Sequence, residues 1–201
     1  YVKVTSYMSK NTSKKKEFDH FSKLAAEWWK KEGKFKILHQ IMPLRMQYIL
    51  DNIKQVEKLD ILDLGCGGGL TCEPLSRLKA NVTGIDFIKE NIKIAKDHAY
   101  KSNLKIKYIH GDLESLNIKN KYDLILMLEV IEHIDNWEQL INQIKKNLKP
   151  KGTIIFSSIN KTQFSKFFAI YMAESLLNWI PKETHNFNKL VSPKKLEQTL
   201  I

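Results

Sequence analysis

Two groups of residues in this 201-residue chain have the types and spacing for chemistry. The first is Asp63-Leu64-Gly65-Cys66-Gly67-Gly68-Gly69, with Asp86 closing the next apolar run, Val82-Thr83-Gly84-Ile85. Glycines at 65, 67 and 69 let a backbone turn approach a ligand closely and take positive φ. A helix predicted over Leu70–Lys79 would aim its first N–H groups at something polar. Asp86 would then stand where a carboxylate can accept two ribose hydroxyls. The second group is Glu129-Val130-Ile131-Glu132-His133, which follows the apolar run Tyr122–Leu128.

For the first group, two nucleotide readings compete. The dinucleotide fingerprint needs Gly or Ala five residues after Gly65, and the chain has Leu70 there. The pattern D-x-G-x-G-x-G instead adds a carboxylate, Asp63, two residues before the first glycine. That carboxylate would repel a pyrophosphate but favour the ammonium and sulfonium of S-adenosylmethionine. The pattern resembles the class I methyltransferases. Asp112, in the turn Gly111-Asp112, is placed to meet an adenine amino group or is a simple turn aspartate.

The second group also has two readings. If it opens a helical turn, residues three and four apart share a face. Glu129, Glu132 and His133 would then suit a hard or borderline divalent ion. Alternatively the two glutamates are acids favoured by a helix N-terminus, and His133 is a packed histidine. The hydrolytic zinc patterns fail because position 129 is Glu. Cys66 and Cys72 are too few for a disulfide framework and fit a reducing compartment.

The elements that must position these groups can be read from periodicity. Asn91–Lys101 and Asn136–Leu148 read as helices, and Ile106–His110, Tyr122–Leu128 and Thr153–Ser158 as strands, with a turn at Pro150-Lys151-Gly152. The alternation implies an α/β fold: a doubly wound, mostly parallel Rossmann-like sheet with helices on both faces. Asp63, Asp86, Asp112, Glu129 and Asn160 all fall at strand carboxyl ends, where ligands of such sheets lie. Residues 17–201 read as a single domain, with 17–53 a helical cap and 161–190 an apolar lid or insertion. Within the cap, Gly33 splits the pattern and Pro43 is expected to start a new helix. Trp28 and Trp29 cannot both face one core, so one should meet a substrate, partner or lipid. In the insertion, Phe164–Ile180 is apolar but too short and polar-punctuated to span a bilayer. It reads as a membrane-contacting lid or as an ordinary core helix. Ser192-Pro193 looks like a further helix start.

Composition narrows the partners. The formal charge is +11, and residues 1–16 hold five lysines and no acid. That stretch reads as a flexible basic tail or a transit-peptide remnant, and a chain starting at Tyr1 is expected to be processed or trimmed. Among 33 basic residues only Arg45 and Arg77 are arginines, which argues against sequence-specific nucleic-acid reading.

A closer resemblance rests on Phe21-Ser22-Lys23-Leu24-Ala25, Trp28-Trp29, Gly33-Lys34-Phe35-Lys36-Ile37-Leu38-His39, Pro43-Leu44-Arg45, the glycine run, Glu129–His133 and Lys182-Glu183-Thr184-His185. Together these resemble the ubiquinone-biosynthesis O-methyltransferases from Phe21 to Ser192. The resemblance implies methyl transfer from S-adenosylmethionine to a catechol hydroxyl of a polyprenylated ring. It implies cofactor contacts at Arg45, Gly65, Asp86 and Leu128, to which the glycine pattern adds Asp63 and Gly67, and the Gly111-Asp112 turn adds Asp112. It also implies a divalent metal, Mg before Zn or another, at Glu129, Glu132 and His133. With metal, a Lewis acid would favour the phenolate; without it, His133 or His185 would be the base, with Glu132 beside it. The apolar insertion matches a membrane- and prenyl-tail-associating segment. The expected location is peripheral on the matrix side of the mitochondrial inner membrane, or membrane-associated in a bacterial cytoplasm. A quinone-biosynthesis protein complex is an expected partner. The family continues past Ile201 with a helix and two strands, so C-terminal strands are expected to be missing. That leaves a rival reading, an impaired methyltransferase-fold scaffold. An RNA or small-molecule methyltransferase ranks last, lacking an N/D-P-P-Y motif after the fourth strand.

Overall fold

The computed structural model describes residues 24–113, 118–158 and 193–200. A 3-10 turn at Ala25–Glu27 leads into α1 (Lys36–Asn52), β1 (Asp60–Leu64), α2 (Cys72–Arg77), β2 (Asn81–Asp86), α3 (Lys89–Lys101), β3 (Lys107–His110) and β4 (Tyr122–Leu128). A second 3-10 turn, Ile131–His133, precedes α4 (Trp137–Lys145), β5 (Leu148–Ser157) and α5 (Pro193–Leu200).

The five strands pair in parallel in the order β3-β2-β1-β4-β5. The chain steps outward from β1 through β2 to β3, then crosses back to β4. The reversal puts a crevice at the carboxyl ends of β1 and β4, the place where such sheets bind ligands. β1 and β4 are buried on both faces, which is why they read as nearly unbroken apolar runs. One face carries Ile61, Val82, Leu124 and Leu126 against Ile49 of α1, Leu75 of α2 and Ile92, Ala95 and Ala99 of α3. The other carries Leu62, Leu64, Ile85, Ile125 and Met127 against Ile131 and against Leu140, Ile141 and Ile144 of α4. In α3 and α4 those residues recur three and four apart, the stripe that a helix lays on a sheet.

Three local expectations need correction. Pro43 does not start a helix; it lies inside α1, which runs unbroken from Lys36 to Asn52. The turn at Pro150-Lys151-Gly152 is instead part of β5, where Lys151 takes φ 66° and the β4 pairing shifts register opposite Tyr122 and Leu124. A bulge of this kind is one of the few strand positions that accept proline. The helix after the glycines is shorter than expected, Cys72–Arg77 against Leu70–Lys79. The tail 1–16, Asn160, the insertion 161–190 with its Phe164–Ile180 stretch, and His185 lie outside the described residues.

Gly69 shows how tightly the turn is built. Its φ is +90°, and a Cβ there would sit 2.3 Å from the Tyr108 hydroxyl. Gly69→Ala is therefore expected to destabilise the fold by about 2 kcal/mol, from left-handed strain plus overlap. Urea unfolding would measure it, and Tyr108→Phe in the same chain should recover the steric share alone. A Gly69→Ala protein as stable as the parent would contradict this account.

Candidate active site

The glycine loop is held from three sides. Gly65 N–H and Cys66 N–H both donate to the Ile85 carbonyl, at 2.8 and 3.0 Å, which ties the loop to the end of β2. Asp86, 4% exposed, accepts from Gly67 N–H at 2.9 Å, from Ile88 N–H at 2.8 Å and from Asn91 Nδ2 at 3.2 Å. Burial raises the Asp86 pKa above the usual carboxylate range, and these three donors pull it partly back. The acid expected to meet a ribose thus also braces the loop from behind.

Asp63 points from β1 into the α2 side of the sheet, where Cys72 Sγ donates to its Oδ2 at 3.2 Å. Burial pushes its pKa up to about 7, against the Cys72 bond, with nearby Asp86 raising it further and Arg45 lowering it. The thiols are buried and form no disulfide. Burial raises Cys66 to about 11 and Cys72 well above the normal thiol value, so neither is a ready nucleophile.

Both tryptophans dock on the loop, so the two adjacent indoles share one surface although they could not share one core. A Cβ on Gly67 or Gly68 would come within 2.4 Å of the Trp28 ring, so these glycines give the indole room to lie against the backbone. Trp28 Nε1 donates to Asn91 Oδ1 at 2.8 Å, and the ring stacks on Phe35 at 4.0 Å. Trp29 Nε1 donates to the Gly68 carbonyl at 3.0 Å. Asn91 thereby links Trp28 to Asp86. Its sequence signal was a polar residue on the buried face of α3.

At the end of β4, Glu129 takes φ 56°, a left-handed conformation uncommon outside glycine and worth about 1 kcal/mol of strain. Its carboxylate accepts from Arg45 Nη2 at 3.1 Å and Ser157 Oγ at 2.9 Å. Glu132 sits in the following 3-10 turn, 6% exposed, and accepts from Ser158 Oγ at 3.0 Å. Burial raises its pKa, while His133 pulls it down. His133 is half-buried beside it.

The expected metal set does not assemble. Among the described residues no three His, Cys, Asp or Glu side chains gather to hold an ion. The reason is local: Glu129 lies before the turn, not on its face, and faces Arg45 and Ser157. Glu132 faces Ser158 instead. Ser157 and Ser158 were silent in the sequence, since a serine closing a strand predicts no particular partner.

Of the other expected cofactor residues, Leu128 ends β4, half-buried against the core on the α1–α3 side. Asp112 is exposed two residues past β3, and Gly111 N–H donates to the Asp86 carbonyl at 3.0 Å, holding that turn to the same sheet edge. Phe87, 40% exposed directly after Asp86, is an aromatic at this edge that the sequence reading passed over. The two halves of the site touch: a Cβ on Gly65 would lie 2.3 Å from Val130 Cγ2.

Residues 62–156 match the family model described as Methyltransferase domain. A protein called ubiquinone biosynthesis O-methyltransferase from Rickettsia typhi is 43% identical over 190 residues, 92% of this chain and 77% of that one. The protein of the same name from Pelagibacter ubique is 44% identical over 196 residues, 92% of this chain and 82% of that one. Among solved structures, the plantazolicin methyltransferase in complex with a substrate analogue and SAH aligns with TM-score 0.59 and 23% identity over 96% of this chain and 77% of that one. That last likeness speaks to the fold alone.

Proposed function

Since this chain belongs to the ubiquinone biosynthesis O-methyltransferase family and is an S-adenosylmethionine-dependent O-methyltransferase, we propose that its acceptor is a catechol hydroxyl on a polyprenylated ring. The substrate class is supported by the likeness to proteins named for ubiquinone biosynthesis, and the mechanism by the contact of Val130 with Gly65. Glu132 and His133, the proposed acid–base pair, follow closely on the residue that touches the loop proposed to hold the cofactor. The sheet order adds that both lie at the β1–β4 crevice.

A catechol hydroxyl has a pKa near 10 and is a poor nucleophile at neutral pH. In the proposed reaction His133 removes its proton, and the neighbouring buried carboxylate of Glu132 stabilises the imidazolium. The phenolate oxygen then attacks the methyl carbon in line, the carbon–sulfur bond breaks, and the electron pair stays on sulfur. The sulfonium is already activated, so alignment supplies much of the remaining acceleration. Asp63 and Asp86 would face the positive cofactor, with Asp86 on the ribose. A metal-assisted variant would need Glu129 to give up Arg45 and Ser157, and no step here is routed through it. Because a polyprenyl ring resides in a bilayer, we place the chain in peripheral contact with a membrane. The relatives named above are bacterial proteins, and among the described residues no helix is long and apolar enough to cross a membrane.

The test is labelled methyl transfer to a short-chain prenylated catechol. Glu132→Gln and His133→Asn are each expected to lower kcat by about a hundredfold or more, with affinity for S-adenosylmethionine within about threefold of the parent. Excess EDTA should leave the parent rate intact. A rate that collapses with EDTA and returns with added Mg would replace this base mechanism with a metal one. A catechol left unmethylated by well-folded protein would remove the substrate assignment.

A further inference from the structure

Glu73 is an unexplained cost in this fold. It lies in the first turn of α2, and its side chain is 1% exposed, yet it carries a carboxylate. Burying such a group is unfavourable unless its oxygens are taken up. Here they are: His98 Nδ1–H donates to Oε1 at 2.6 Å, and both Arg77 Nη atoms approach Oε2 at 3.2 Å. Arg77 is one helical turn away on the same element, a common surface pair reaching inward. His98 is different, because it comes from α3 and its ring is put to a second use. It stacks on the Trp29 indole at 3.5 Å between centroids and 3° between planes. Trp29 in turn donates to the Gly68 carbonyl at 3.0 Å.

From these contacts we infer that His98 is a positioning residue for cofactor binding, acting through Trp29 on the glycine loop. Glu73 fixes the imidazole plane, the plane fixes the indole, and the indole N–H fixes the peptide that carries the Gly68 carbonyl and the Gly69 N–H. The neighbouring Trp28 lies on the same loop and reaches Asp86 through Asn91, so two parallel chains of contacts hold one turn. A loop containing several glycines has an unusually large conformational entropy to lose when it closes on a ligand. Holding it in advance lowers that loss, which should be read in cofactor affinity rather than in the chemical step. His98 touches none of the reacting groups, so it has no part in methyl transfer itself. The inference rests on the cofactor occupying the glycine loop.

The experiment is calorimetric titration with S-adenosylhomocysteine beside steady-state kinetics, on the full chain. His98→Ala is expected to raise Kd and the KM for S-adenosylmethionine about tenfold, while kcat at saturating cofactor stays within about twofold. Trp29→Phe keeps the stack but loses the N–H, and should produce a similar rise. The double variant should be no worse than the weaker single one, because both break the same chain of contacts. Glu73→Gln still offers His98 an oxygen and should remain within about threefold of the parent. If His98→Ala does not fold, Trp29→Phe carries the comparison alone. Unchanged affinity in folded variants overturns the inference, as does a loss of kcat and melting temperature with no preferential loss of affinity. Asp86→Asn run alongside separates the causes. If it too leaves affinity untouched, the cofactor is not on this loop and the site reading falls. If only Asp86→Asn weakens binding, the site stands and the role of His98 does not.

Discussion

Replacing Asp86 with asparagine is expected to weaken S-adenosylmethionine binding by about 1–3 kcal/mol, roughly fivefold to 150-fold in Kd. On the proposed reading the carboxylate has two duties, loop brace and ribose acceptor, that the variant series can separate. Asparagine keeps one oxygen for the Gly67 or Ile88 N–H, so the fold should survive with a modest loss. Alanine leaves the Gly67 N–H, the Ile88 N–H and the Asn91 amide without their acceptor. That variant should lose on the order of 3 kcal/mol of stability in addition to cofactor. Asn91→Ala removes only one of the three bonds and should be intermediate in stability, with Asp86 still free to accept ribose hydroxyls. Calorimetric titration and urea unfolding on the three variants decide the matter. If Asp86→Asn binds cofactor as tightly as the parent, Asp86 is a loop brace and nothing more.

The second large effect is a dependence on pH that traces to Asp63. Its folded pKa of about 7 lies above an unfolded value near 4. For a raised carboxylate, folding binds a proton between those values, so the stabilising contribution is complete below about pH 4 and lost as pH climbs to 7. Moving the carboxylate from near 4 to about 7 corresponds to about 4 kcal/mol. The parent without ligand should therefore lose stability steadily from pH 5 to 7, with Asp86 and Glu132 acting in the same direction because burial raises both. Asp63→Asn should flatten that slope and be the more stable protein at pH 8. If the proposed site is right, its affinity for S-adenosylmethionine should fall, because the cationic cofactor loses a nearby carboxylate. In the parent, binding below pH 7 should release a proton, visible as a heat of binding that changes with the ionisation enthalpy of the buffer. Equal stability slopes in parent and Asp63→Asn would show that the pKa of Asp63 is not raised.

Much of this was legible in the residues alone. Parallel strands buried on both faces leave long apolar runs, and glycines before a helix mark the turn between them, so the sheet and the placement of Asp63, Gly65 and Asp86 could be read directly. The Glu129–His133 geometry could not. Its meaning depended on one backbone angle at Glu129, uncommon for a non-glycine residue, and on contacts with Arg45 and Ser157 that spacing does not reveal. Spacing assumed a regular helix and so put three ligands on one face. The docking of Trp28 and Trp29 on the loop was hidden for a related reason. A face rule for adjacent residues assumes a flat core, whereas a glycine loop offers backbone surface on which two neighbouring indoles can both settle. His98 gave no sign, since its partner Glu73 is 25 positions away.

The all-parallel pairing also bears on how the chain reaches this state. A hairpin can zip strands together across a two-residue turn, but no neighbouring pair in this sheet is joined that way. β1 meets β4 only after about sixty residues of intervening chain have been gathered, so loop closure precedes most of the reward. During that interval β4, with Leu124, Ile125, Leu126 and Met127 all fully buried at the end, is a strand with two unmet edges and two sticky faces. Refolding should therefore be slow, and its yield should fall with protein concentration through strand-to-strand association between molecules. A single charge at Leu126 could not relieve this, because the same side chain is locked between sheet and helices once folding ends. Protection must come from outside the strand, in dilute conditions or from a chaperone that keeps β4 covered until β1 and β5 arrive.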